Sequence, residues 1–185
     1  MNEDKFKKIS KSLSYWLRHH PEDIGIVISS DGWTDIKDLL EKAKLKLFFD
    51  FNDLKYVVQN NDKKRFSLSE DMCRIRANQG HSIPVELGLL EVLPPTILYH
   101  GTPNKNVDSI LKEGLNKGNR HHCHLQEDIE TCKNVANRRK GDKCVLKIEA
   151  LKMRADGHKI YISENGVYLV DYVPSKYIEV LETYK

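Results

Sequence analysis

Apolar residues recur at helical spacing at the start of the chain. Phe6, Ile9, Leu13, Trp16 and Leu17 fall three and four apart, which predicts an amphipathic helix over 4–20. Pro21 marks its end, because the residue before a proline avoids helical backbone. Arg18 and His19 are therefore expected in the last turn, about 100° apart around the axis. Ile26-Val27-Ile28 reads as a short strand and Ser30-Asp31-Gly32 as a turn. A second helix is expected from near Thr34, with Ile36, Leu39 and Leu40 inward. A third, capped by Asp50 or Asn52, carries Leu54, Val57 and Val58. The period then falls to two. Phe66 and Leu68 oppose Arg65 and Ser67, and Ile75 and Ala77 oppose Arg74, Arg76 and Asn78. Three helices and a basic hairpin read as a winged-helix module.

Ser82 to Thr96, with Pro84, Pro94 and Pro95, reads as a connector. Beyond it strands dominate. Ile97 to His100 is a strand ending at Gly101-Thr102. Val107, Ile110 and Leu111 line a short helix closed by Gly114. His121 to Leu125 is a strand, and 128–140 a helix with Ile129, Cys132, Val135 and Ala136 inward. Cys144 to Ile148 is a strand. Lys159 to Ser163 and Val167 to Val170 form a hairpin around Asn165-Gly166, a strong two-residue turn. Tyr177 to Leu181 is the last strand. The fold class is α+β, in two lobes: 1–93 and 94–185.

Composition narrows the reading. The 185 residues are 39% hydrophobic and 31% charged, enough for a folded core in a soluble chain. The net charge is only +3, so nucleic-acid binding would need basic residues focused into a cleft. No apolar run reaches the roughly 18 residues that span a bilayer. Met1 to Lys5 has no signal-peptide character. A cytoplasmic monomer away from membranes is expected. Cys73, Cys123, Cys132 and Cys144 form no CxxC pair, which suits reduced thiols.

Three constellations could carry chemistry. Arg18, His19, Arg65, Arg76, Asn78 and Arg120 are donors, and planar guanidiniums suit phosphate oxygens. They read as a phosphate site if they converge and as solvated charge if they do not. In Arg120-His121-His122-Cys123-His124, alternation puts Arg120, His122 and His124 on one face and Cys123 on the other. That splits His from Cys, and no second ligand pair exists, so no metal is expected. The histidines read as donors and stackers in a polar cleft, or as plain surface strand. Tyr99-His100-Gly101-Thr102 closes a strand, where Gly allows close approach of a ligand. There is no Walker loop, no GxGxxG and no carboxylate pair on a strand face.

Taken together, these residues resemble the RNA 2′-phosphotransferase (KptA, tRNA 2′-phosphotransferase) family. The resemblance runs through Leu13-Ser14, Leu17-Arg18-His19, Asp31-Gly32-Trp33, Arg65-Phe66 and Ile75-Arg76-Ala77-Asn78-Gln79-Gly80-His81-Ser82. It continues through Leu98-Tyr99-His100-Gly101-Thr102, Arg120, His122, His124-Leu125, Asn165-Gly166-Val167 and Val173-Pro174. It implies a winged-helix RNA-binding lobe over 1–93 and an ADP-ribosyltransferase-like lobe over 94–185 that holds NAD as co-substrate, with no metal. It implies a substrate RNA, tRNA in the first place, with a 2′-phosphate at a splice junction. That phosphate displaces nicotinamide from NAD. The ribose 2″-hydroxyl then attacks the phosphate, leaving 2′-OH RNA and ADP-ribose 1″,2″-cyclic phosphate. The family's catalytic quartet falls on Arg18, His19, Arg65 and Arg120. Its RNA contacts fall on Arg76 and Asn78, and its NAD contacts on His100, Gly101, Thr102, His124 and Val167. Gln126, Cys123, Cys132, Ala136 and Lys140 depart from the family pattern. Two rival functions are a winged-helix regulator and an ADP-ribosyltransferase that caps nucleic-acid phosphates without a second step.

Overall fold

Helix α1 (Glu3–Arg18) follows its apolar spacing: Ile9, Leu13, Trp16 and Leu17 are buried. Asn2 caps it through a 2.8 Å bond from the Lys5 amide, and Glu3 and Asp4 favour the positive end of the dipole. The helix stops two residues sooner than the expected end at residue 20. Arg18 is the last helical residue and His19 is the cap, its N–H on the Tyr15 carbonyl at 3.0 Å. The structure, a computed structural model, describes residues 1–138 and 140–185. They form two compact units, Met1–Gly88 and Leu89–Lys185. Both mix helix and strand.

In the first unit, α1 precedes β1 (Trp33–Asp35), α2 (Ile36–Ala43), α3 (Phe51–Gln59), β2 (Phe66–Leu68) and β3 (Arg74–Ala77). The sheet is antiparallel in the order β1-β3-β2, with Trp33 opposite Arg76 and Phe66 opposite Ala77. Two expectations change. Ile26-Val27-Ile28 is loop, with Val27 77% exposed, because no strand among the described residues pairs with it. The third strand is instead Trp33–Asp35, where a helix start was expected. Asp35 then caps α2 by accepting from the Asp38 amide. Asp50 and Asp53 make a capping box at α3. The core joins α1 to Leu39, Phe49, Leu54, Val57, Phe66, Ile75 and Ala77.

The second unit holds β4 (Leu90–Glu91), β5 (Leu98–Pro103), α4 (Val107–Glu113), β6 (Leu115–Asn116), β7 (Cys123–Leu125), α5 (Ile129–Ala136), β8 (Lys143–Ile148), α6 (Ala150–Ala155), β9 (Tyr161–Ile162), β10 (Tyr168–Val170), β11 (Tyr172–Val173) and β12 (Ile178–Tyr184). Two antiparallel sheets, β4-β9-β10-β7 and β12-β8-β5, enclose a core of Leu98, Leu125, Leu146, Ile148, Val170 and Tyr177. The stretch expected as pure connector contributes β4, and α6 is an element the periodicity did not suggest. His100-Gly101-Thr102 lies inside β5 rather than at its end. Arg139 of the expected 128–140 helix lies outside the described residues.

Cys123 faces the core, as alternation requires, and so do Cys132 and Cys144. Burial pushes the Cys123 and Cys132 thiols up to about 12 and raises that of Cys144. None is a nucleophile at neutral pH. Iodoacetamide at pH 8 should therefore add one group per native chain, at exposed Cys73, and four after unfolding; intact-mass spectrometry checks this.

Candidate functional site

The first unit organises its basic residues through side chains that the motif pattern does not reveal. Pro21 forces the chain out of α1, so Arg18 and His19 sit at an exit held from one side by Ser82. The Ser82 amide donates to the Arg18 carbonyl at 2.9 Å, and its Oγ lies 2.9 Å from His19 Nδ1. Arg18 is half-buried, its guanidinium carbon 6.0 Å from the centre of the Phe66 ring. Arg65, immediately before Phe66, donates from Nη1 to Asn61 Oδ1 at 3.0 Å. Buried Asn61 in turn donates to Ser10 Oγ of α1 at 3.0 Å. One chain of hydrogen bonds thus runs from the body of α1 to the Arg65 guanidinium and restricts its freedom.

Asn78 is buried and braces the same turn. Its amide donates to the Lys64 carbonyl at 2.8 Å, its Oδ1 accepts from Ser67, and its own N–H meets the Arg65 carbonyl at 2.9 Å. Arg76 lies over Trp33, 4.7 Å from the ring centre, and Arg74 is 5.6 Å from it.

The second unit contains a cavity of about 390 Å³. One wall is the His100-Gly101-Thr102 run of β5 with His124 and Gln126. The other is made by α4 and α5, and Arg120 stands at the rim. Gly101 is required by packing. A Cβ there would lie 2.5 Å from the Cys132 carbonyl oxygen and 3.1 Å from the Ala136 Cβ. The residue lets α5 lie directly on β5, and that contact shapes the cavity floor.

The two histidines are assigned by their partners. A carbonyl only accepts, so His100 donates from Nδ1 to the His124 carbonyl at 2.9 Å and leaves Nε2 as an acceptor. Burial lowers the His100 pKa, with Arg120 adding in the same direction against that hydrogen bond, so the ring is neutral at pH 7. A guanidinium only donates, so Arg120 Nη1 donates to His124 Nδ1 at 3.3 Å, which puts the His124 proton on Nε2. The cavity therefore offers one imidazole acceptor and a fixed positive charge.

Of the residues singled out by sequence, His100, Gly101, Thr102, His124 and Arg120 meet at this cavity. Val167 does not line it. It closes the β9–β10 turn, its amide on Ser163 Oγ at 3.1 Å. His122 lies before β7 and turns to Asp171, 3.9 Å away, and to the Tyr161 ring. Val135 lines the cavity and is partly exposed, where inward packing was expected. Sequence reading missed Asn106, Ser109 and Glu113, which stand three and four apart and line the cavity with Ile110. That polar stripe was visible beside the apolar one. It also missed Asn61, which no local pattern marks. The described residues hold one group of potential metal-ligand atoms, His20, Glu22 and Asp23. All three are exposed and already engaged with each other or with Tyr15.

A family model described as "RNA 2'-phosphotransferase, Tpt1 / KptA family" matches residues 4–172. A protein of Flavobacterium johnsoniae named "Probable RNA 2'-phosphotransferase" is 52% identical over 180 residues, 97% of this chain and 98% of that one. Proteins with the same name from Fusobacterium nucleatum and Trichormus variabilis are each 49% identical, over 93% and 94% of this chain and 97% and 96% of theirs.

Proposed function

The chain belongs to the RNA 2'-phosphotransferase family, and from that premise we propose that it transfers an internal RNA 2′-phosphate to NAD. The path runs through an ADP-ribosylated RNA 2′-phosphate and ends in 2′-OH RNA, ADP-ribose 1″,2″-cyclic phosphate and nicotinamide. One observation carries the reading: the family match spans both units, so it takes in the Arg18, His19 and Arg65 group and the Arg120 cavity alike. On this reading the first unit is a winged-helix lobe for RNA, tRNA foremost, and the second an ADP-ribosyltransferase-like lobe for NAD. No helix of the described residues is long and apolar enough to cross a membrane.

The donor set of the cavity fits NAD. Its volume lies in the usual range for small-molecule sites. The neutral His100 Nε2 accepts from a ribose hydroxyl, and Arg120 suits a phosphate. When bound, NAD supplies an electrophilic ribose carbon with a good leaving group. His100, Thr102 and His124 orient it, and Gly101 admits α5 to form the floor. Val167 serves indirectly, by fixing the turn of the sheet that carries β7.

The attacking phosphate arrives as an anion and needs no general base. It needs positioning, and later a clamp that spreads charge while the ribose hydroxyl attacks. Arg18 and Arg65, charged at every working pH, hold the phosphate oxygens. His19, tethered at Nδ1 by Ser82, presents Nε2 to the same group. Arg76 takes a flanking phosphate, and Asn78 keeps the Arg65 turn in register. A 2′-phosphorylated oligonucleotide should be turned over with NAD, not without it, and unchanged by excess EDTA. Loss of activity in EDTA that zinc or magnesium restores would overturn the reading.

A further inference from the structure

Between α2 and α3 the chain runs Lys44-Leu45-Lys46-Leu47-Phe48-Phe49-Asp50. Leu45 is 93% exposed and Phe48 69% exposed. The backbone that carries them is held in place. Phe49 beside them is buried, and Asp50 is locked in the α3 capping box. The Lys46 and Leu47 amides close on the Ala43 carbonyl at 2.9 and 2.8 Å. The backbone on both sides of Phe48 is thus fixed. Lys44 and Lys46 are exposed and make no ion pair among the described residues, whereas neighbouring Lys42 is spent on Asp38 and the Gly25 carbonyl. An exposed ring on fixed backbone, with two uncommitted cations just before it in the turn, matches the physics of single-stranded nucleic acid: a π-face for a base and charges for its phosphates.

Its place in the first unit is defined. Asp53, in the first turn of α3, pairs with Lys5 at 2.6 Å, and Phe6 meets Tyr56 edge-on. The turn therefore lies by the N-terminal end of α1, whereas Arg18 ends that helix. The helix from Lys5 to Arg18 is about 20 Å long.

We propose that the Lys44–Phe48 turn is a second RNA contact, where Phe48 stacks an unpaired base and Lys44 and Lys46 hold adjoining phosphates, a helix length from Arg18. The proposal rests on RNA being the substrate. It makes binding depend on RNA length, because a short oligonucleotide held at Arg18 does not reach the turn.

The test uses the full chain with 2′-phosphorylated RNAs of two lengths, a trinucleotide and a single-stranded 15-mer, followed by fluorescence anisotropy and by NAD-dependent turnover. Phe48→Ala should weaken binding of the 15-mer, and raise its KM, roughly ten-fold, with kcat and the trinucleotide unaffected. Phe48→Tyr should restore it. The double variant Lys44→Ala/Lys46→Ala should lower the slope of log K against log salt by about 1.4 for the 15-mer. Unchanged 15-mer binding, or an equal loss for both lengths, would overturn the proposal. So would a wild-type dimer that Phe48→Ala converts to monomer, since the ring would then serve a second copy of the chain. A wild-type protein that binds the RNAs but does not turn them over with NAD contradicts the function proposed above, and the anisotropy still decides this contact.

Discussion

Replacing Arg65 or His19 with alanine is expected to leave a visible band of ADP-ribosylated RNA 2′-phosphate, the intermediate of the path proposed above. On the proposed path the first step joins an existing anion to an activated ribose and depends mainly on how NAD is held. The second develops charge on the bridging phosphate, and there the clamp matters most. Arg65 is preorganised through Asn61 and Ser10, and His19 through Ser82. Losing one preorganised donor costs about 10²–10³ in rate. That selective slowing lets the intermediate build up. His100→Ala should behave in the opposite way, slowing the first step and accumulating nothing, because His100 lies on the cavity wall and not among the residues proposed to grip the phosphate. End-labelled 2′-phosphorylated RNA on a denaturing gel separates the cases. An intermediate band for His100→Ala and none for Arg65→Ala or His19→Ala would reverse the assigned roles.

The second large effect is expected at Gly101, where adding one methyl group should be more damaging than its size suggests. The added Cβ meets the Cys132 carbonyl oxygen at 2.5 Å, and a backbone atom inside a helix cannot turn aside. Helix α5 must move as a body, carrying Cys132, Val135 and Ala136 away from the cavity they line. Overpacking of this kind costs about 1–3 kcal/mol. Gly101→Ala should therefore lower the thermal midpoint by several degrees and raise the KM for NAD at least ten-fold, while RNA affinity stays unchanged. Combining it with Ala136→Gly removes the 3.1 Å contact and not the carbonyl clash, so the double variant should not recover. Recovery would mean that the side-chain contact, and not the helix backbone, sets the fit.

These two sites differ in how far sequence discloses them. The apolar stripe of α1, the Asp50 cap and the hairpin around Asn165-Gly166 follow from local rules, because each is fixed by residues within one or two turns of itself. The hairpin loop nonetheless holds three residues, 164–166, where two were expected, since Ser163 pairs with Val167. Gly101 stands out in the sequence as a residue for close approach, but what approaches its Cβ position is α5. That partner is set by tertiary packing some thirty residues away. Strand β1 was hidden for a related reason. Trp33-Thr34-Asp35 has no strand pattern of its own and is extended because β3 pairs with it, whereas the β-branched Ile26-Val27-Ile28 run finds no partner and stays loop. The Arg18, His19 and Arg65 set was legible as residue types. Its supports, Ser82 and Asn61, were not legible as supports, since each acts through a hydrogen bond to a residue distant along the chain or to a neighbouring turn.

The fate of the phosphate tests the central claim most directly. An RNA with one radiolabelled internal 2′-phosphate, incubated with NAD and resolved by chromatography, should pass its label to ADP-ribose 1″,2″-cyclic phosphate and be left with a 2′-hydroxyl. Label released as inorganic phosphate, or held permanently on the RNA beneath an ADP-ribose cap, would contradict it.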